Sequence, residues 1–188
     1  GAIVIFLAVL SLFLVKGVRR RWLVAGFLLS LFLSWGKNFS LLTDFFINYV
    51  PMYNKFRAVS SIQVLLELLL PVMAILGLYE FFYNENYTEE ERKKSLFYST
   101  GIVGGILLLF LAFKNTIFSF VSPMDGYFMQ EIGPDLVMAL REDRAALMSS
   151  DTIRSLILVL LTAAVLFVYL KRQSKITWIT SLVCVLIL

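Results

Sequence analysis

The stretch Ser155-Leu-Ile-Leu-Val-Leu-Leu-Thr-Ala-Ala-Val-Leu-Phe-Val-Tyr-Leu170 decides the fold. It carries no charge, and Lys171, Arg172 and Lys175 close it. A helix needs about 20 apolar residues to cross a ~30 Å hydrocarbon core, and this run approaches that length. Similar runs precede it. Gly1–Val15 is closed by Lys16, Arg19, Arg20 and Arg21; Trp22–Trp35, Ile62–Tyr83 and Leu96–Phe113 follow, and a further run begins at Ile176. The runs are continuous rather than alternating, which excludes a membrane β-barrel. The expected fold is all-α: a polytopic transmembrane helical bundle of about six membrane segments with an external interfacial helix. We read 1–188 as one transmembrane domain, with external loops near 36–61 and 114–154.

Composition agrees. The chain is 60% apolar and 15% aromatic, with a mean hydropathy of +0.85. A soluble domain is closer to half apolar. The net charge of +4 is no nucleic-acid signal, because most cations sit at the ends of apolar runs, where topology and lipid headgroups account for them. The chain has no histidine and one cysteine, Cys184, inside an apolar run. That removes histidine bases, histidine metal ligands and Ser-His or Cys-His nucleophiles from these residues. No disulfide framework is implied, and no metal site. No cofactor is identified, and a divalent metal stays open. The chain begins and ends inside apolar runs, so we expect an internal fragment of a longer chain.

The cations orient the chain. Lys16–Arg21, Arg92–Lys94 and Lys171–Lys175 hold ten of the seventeen cations. These clusters alternate with the apolar runs, so they fall on one side, expected to be cytoplasmic. The loops at 36–61 and 114–154 then share the opposite face.

The first of those loops contains Pro51-Met52-Tyr53-Asn54-Lys55-Phe56-Arg57-Ala58-Val59-Ser60-Ser61. Proline, asparagine and two cations cannot lie against lipid tails, so the stretch belongs at an interface or a polar cavity. An arginine fork matches phosphate oxygens, and interfacial aromatics can flank a lipid chain. Tyr53, Lys55 and Arg57 therefore form a candidate lipid-phosphate seat. The plainer reading is a set of snorkelling cations that anchor the next segment. Upstream, Ser40–Val50 reads as an interfacial helix broken at Pro51.

Glu67 lies four residues before Pro71, inside an apolar run. Proline frees the carbonyl four residues back, which is that of Glu67. Intramembrane acids usually face a cavity or a partner, and Arg57 or Lys37 could be that partner. A protonated acid satisfying the helix defect is the alternative. Thr88 and Glu91 have capping-box spacing, so a helix should start near Glu89. Gly101 and Gly105 form a small-xxx-small pair suited to close helix approach.

In the second external loop, Pro123-Met124-Asp125-Gly126 signals a turn. Gly133-Pro134-Asp135 should start a helix. That helix is expected to run to about Met148 and to lie on the membrane surface or against the protein, with a separate membrane segment from Ser155. The run from Arg141 to Arg154 is charge-dense. Arg144 and Asp151 share a helix face, and Asp151 and Arg154 are three apart. These residues form a solvated face or an intramolecular clamp. Asp44, Asp125, Asp143 and Asp151 are all external acids, and spacing selects none as a base.

Two regions resemble a known family. Gly36-Lys37-Asn38-Phe39 with Pro51 to Ser61 is similar to the region around the L-P-x-F/Y-N-K-F-R-x-P-S pattern of YfhO-type bacterial multispanning membrane proteins. Glu142-Asp143-Arg144 with Leu147, Asp151, Arg154 and Ser155 resembles a second pattern of that family. The two regions occur in the expected order. Val59 departs from the proline common there. The resemblance implies a GT-C glycosyltransferase architecture and a polyprenyl-phosphate-linked sugar as substrate. It also implies transfer on the outer face of the bacterial cytoplasmic (inner) membrane. The catalytic acid of that class lies in a first external loop that these residues do not include, so the catalytic residue is unassigned and Asp44 does not replace it.

The expectation is therefore part of a lipid-linked sugar transferase. The rivals are a transporter or flippase coupled through Glu67 and Pro71, or a non-catalytic subunit of a larger membrane complex. Expected partners are the bilayer, a polyprenyl-phosphate lipid and the rest of the polypeptide.

Overall fold

The computed structural model describes residues 1–35, 40–49, 62–131 and 133–172. Every regular element among them is helical: α1 (Ala2–Leu14), α2 (Val18–Ser34), α3 (Ser40–Tyr49), α4 (Gln63–Tyr83), α5 (Glu89–Ala112), α6 (Lys114–Ile117), α7 (Asp125–Glu131) and α8 (Pro134–Arg172). Three of these, α4, α5 and α8, are long and apolar enough to cross a membrane. The sixth expected segment, from Ile176, lies outside the described residues. The helices form two compact units that divide within α5, after Ser95.

The first unit is built on α1. At 13 residues it is about 20 Å long, short for a bilayer. Its Phe6, Leu7, Leu10 and Leu14 are fully buried, so it serves as the packed centre of this unit. Gly17 turns the chain into α2 at φ +77°, a left-handed conformation that favours glycine. The 17-residue α2 packs on α4, and a Cβ at Gly26 would sit 3.4 Å from Leu69 Cδ1. Helices α1 and α4 also approach closely at Gly77. A Cβ at Gly77 would lie 2.9 Å from Ser11 Cβ and 3.0 Å from the Leu7 carbonyl oxygen. The two backbones meet there.

The sequence put the close helix approach at Gly101 and Gly105. Among the described residues nothing lies within 4 Å of a Cβ at either position, so no described helix makes that approach. Within α5 the buried glycine is Gly104, 3.9 Å from Leu156 Cδ1 of α8 by the same construction. Spacing fixes which residues share a face, but not which face is covered.

Two helix starts follow the sequence reading. The Thr88 N–H donates to Glu91 Oε2 at 2.9 Å, and the Glu91 N–H donates to Thr88 Oγ1 at 3.3 Å. That reciprocal pair opens α5 at Glu89. Gly133, at φ +103°, precedes Pro134, whose fixed φ suits the first helical position. Where the sequence suggests an interfacial helix over Ser40–Val50, the chain forms a helix, α3, that ends at Tyr49.

The second unit differs from expectation in one respect. No break separates a surface helix from a membrane segment. Instead α8 runs uninterrupted for 39 residues, about 58 Å, which is twice the hydrocarbon thickness. It contains no glycine, and its one proline is at its first position. The usual causes of a sharp kink, internal proline or glycine, are therefore missing. The apolar C-terminal half carries the membrane-length run. The charged N-terminal half extends the same axis and does not form a separate helix.

Candidate functional site

The sequence-predicted seat at Tyr53, Lys55 and Arg57 lies outside the described residues, as does Lys37. Glu67 is exposed on α4, and among the described residues no side chain hydrogen-bonds it. The helix continues through Pro71. Asp44 is exposed on α3.

The ordered polar centre lies in the second unit, around Asp125. This aspartate is the first residue of α7 and is 2% exposed. Arg141 Nε donates to its Oδ2 at 2.8 Å. Arg144 Nη1 donates to Oδ1 at 2.9 Å and reaches Oδ2 at 3.2 Å. The same Nη1 donates to the Phe120 carbonyl at 3.0 Å. Phe120 has φ +51°, unusual for a bulky residue. Arg144 thus ties down both the α7 start and the strained loop before it. Within that loop the Asp125 N–H donates to the Ser122 carbonyl at 3.0 Å. Further along, Lys114 Nζ donates to Ser149 Oγ at 3.1 Å, joining α6 to α8.

The register of α8 makes this centre. Val137, Arg141, Arg144 and Met148 recur at helical spacing and fall on one stripe. Val137 is fully buried, and the two arginines beside it converge on Asp125. The opposite stripe carries Asp143, Ala146, Leu147 and Ser150, which line a shallow open recess of about 410 Å³.

The electrostatics define what Asp125 can do. The Arg141 guanidinium holds its carboxyl down to about 2, burial opposes this, and Arg144 adds to the lowering. A carboxylate this acidic, with both oxygens accepting from guanidinium groups, is a poor general base near neutral pH. Asp125 is an anchor. The sign of its pH dependence follows. Its folded pKa lies below the ordinary 3.8, so its stabilising effect is complete above about pH 4 and disappears as pH falls towards about 2. The second unit should therefore loosen between about pH 4 and pH 2 in wild type, and an Asp125→Asn protein should lack that component of the acid transition. Circular dichroism against pH on both proteins checks this. Identical acid profiles would contradict it.

Of the two expectations for the Arg141–Arg154 run, a solvated face describes Asp151 and Arg154, and an intramolecular clamp describes Arg144 with another partner. Asp151 and Arg154 are exposed, and among the described residues neither forms an ion pair. Arg144 pairs with Asp125, nineteen residues upstream. The sequence reading treated Asp125 as one acid among four and missed Arg141. The signal available was the stripe that places two arginines beside a buried valine, which calls for a buried counter-ion. Among the described residues no group of three potential ligands could hold a metal ion.

No family model matches the chain, and no curated protein and no solved structure matches it.

Proposed function

We propose that this chain is part of a GT-C-like membrane glycosyltransferase of the bacterial cytoplasmic membrane, using a polyprenyl-phosphate-linked sugar on the extracytoplasmic face. The observation that carries the reading is the Pro51–Ser61 stretch and its resemblance to the YfhO-type pattern. Its position supports it. Arg57 lies six residues before the start of α4 at Gln63, and α4 is long and apolar enough to cross a membrane. Cations at such a boundary lie at headgroup depth, where a lipid phosphate lies. The Asp125 clasp engages Arg144, a member of the second family-like pattern.

In this reading Arg57 makes paired hydrogen bonds to the lipid phosphate that an ammonium cannot copy. Tyr53 and Phe56 flank the first part of the lipid tail, and Lys55 adds a point charge. One such charge-assisted contact is worth about 1.5–3 kcal/mol, roughly ten- to a hundred-fold in affinity. Arg57→Lys in the full-length protein should lose much of that, and Lys55→Arg should be mild. Binding of a polyprenyl-phosphate sugar to purified protein in nanodiscs reads the difference. Equal binding by wild type and by folded Arg57→Ala would remove the phosphate seat and leave Arg57 as an interfacial anchor.

A further inference from the structure

Within the second unit α8 reaches further than the helix it packs on. The two run antiparallel. Phe97 meets Phe167 with ring centres 6.4 Å apart, Gly104 lies beside Leu156, and Lys114 bonds Ser149. The apolar run of α5 ends at Ala112, near the level of Ser149. Residues 134–148 of α8 therefore extend about 22 Å beyond that level. If α5 and α8 cross a membrane, as their length and composition allow, this extension stands outside the hydrocarbon.

One face of the extension is covered, where Val137, Arg141 and Arg144 meet α7 and Asp125. The opposite face is bare among the described residues. On it Leu136 is 44% exposed and Leu147 65%, and Ala139, Asp143, Ala146 and Ser150 are exposed too. Positions 136, 139, 143, 147 and 150 make one helical stripe. The open recess of about 410 Å³ lies on this stripe, lined by Asp143, Ala146, Leu147 and Ser150. Its middle is apolar, with the Asp143 carboxylate towards one end and the Ser150 hydroxyl towards the other. A contiguous apolar strip held in water marks an interaction surface.

Charge says what fits it. Among the described residues from 118 to 151, every exposed charged residue is an acid: Glu131, Asp135, Glu142, Asp143 and Asp151. The two cations of that stretch, Arg141 and Arg144, are drawn onto Asp125. Such a surface repels anionic headgroups, and Leu136 stands about 20 Å beyond the end of α5, out of reach of acyl chains. A second copy related by a twofold axis would set the acidic strip against itself.

We infer that this strip docks a basic amphipathic helix of a partner protein. The apolar face of that helix lies along Leu136 and Leu147, and the small side chains of Ala139 and Ala146 let it approach closely. One lysine or arginine of the partner enters the recess, its aliphatic stem against Ala146 and Leu147 and its charged head at Asp143. The strip is on the side of α8 away from the Asp125 clasp, and it does not depend on the sugar-lipid reading.

The test is photo-crosslinking in the cells that make the protein, with p-benzoylphenylalanine in place of Leu136 or of Leu147 in the full-length chain and the adduct mapped by mass spectrometry. One and the same partner protein should be attached from both positions, through a segment with a basic amphipathic helical pattern. The same probe in place of Met138, which is 60% exposed but off the stripe, should not give that adduct. Asp143→Lys should lower the yield about ten-fold, the effect of losing roughly one charge-assisted contact. Changing the facing cation of the partner to glutamate should restore it. Asp143→Asn keeps the shape and should lower the yield as well, which covers the case of a lysine variant that fails to fold. Adducts with lipid alone, with a second copy alone or with a segment lacking cations overturn the inference. So does the absence of any adduct, or a yield unchanged in both Asp143 variants.

Discussion

Gly77→Leu should unfold the first unit or leave it too unstable to purify. The expected loss is about 3 kcal/mol or more, at the upper end of what overpacking costs. The reason is the identity of the neighbours. A Cβ at Gly77 meets Ser11 Cβ at 2.9 Å, the Leu7 carbonyl oxygen at 3.0 Å and Ser11 Cα at 3.1 Å. Two of the three are backbone atoms, which cannot rotate aside. The helices must separate, and α1 holds the most buried side chains of the unit. Gly77→Ala should be milder, because alanine regains up to about 1 kcal/mol of helix propensity against a clash of about 1–3 kcal/mol. Ser11→Gly removes the nearest atom, so it should rescue part of the Gly77→Ala loss, with a coupling of about 0.5–3 kcal/mol. Thermal or denaturant unfolding of the four proteins measures that coupling. Strict additivity would mean that the helices do not meet at this point.

Asp125→Asn should release α7 and the loop before it while leaving the first unit intact. The asparagine keeps the shape but not the charge that two guanidinium groups require, and its amide nitrogen would face a donor. Arg144 would lose the partner that fixes it where it also binds the Phe120 carbonyl. The two arginines are each about a third exposed, so water compensates part of the lost pairing, but the buried asparagine cannot offer either of them a charge. Amide hydrogen exchange over 118–131 should speed up by about ten-fold or more, which is roughly what one lost charge-assisted bond carries. Amides of α1 and α4 should be unchanged. Uniform acceleration in both units, or none, would refute an anchoring role for Asp125.

These two sites mark the limit of what the sequence discloses. The apolar runs were legible because hydrocarbon thickness imposes length on composition. The run ending at Tyr83 and that ending at Leu170 appear in α4 and α8 with those ends inside or at the helix. The Thr88–Glu91 pair and Gly133-Pro134 were legible because capping is local chemistry, completed within a few residues. Gly77 was not legible, since the residue it meets is Ser11, far away in the chain, and nothing in its own segment records that approach. Gly101 and Gly105 carry a recognised spacing and pack against nothing described. Asp125 sits in a stretch that reads as a turn, and its two arginines lie 16 and 19 residues away. The unbroken α8 was missed for another reason. The polar run Arg141–Arg154 looks like a boundary, but polarity does not break a helix that has neither internal proline nor glycine. The residues of the expected sugar-lipid seat, Tyr53, Lys55 and Arg57, lie outside the described residues, and their case rests on sequence.

If α4, α5 and α8 cross a membrane, as their length and composition allow, the chain order puts the α4–α5 turn on one side and α7 on the other. Single cysteines in a full-length protein with Cys184 replaced test it directly. Asn86 lies in the exposed turn beside Tyr87, and Met124 is 62% exposed beside α7. In intact bacterial cells an impermeant thiol reagent should label a cysteine at Met124 and should not label one at Asn86 until the membrane is opened. Labelling of both in intact cells, or of Asn86 alone, would contradict the account.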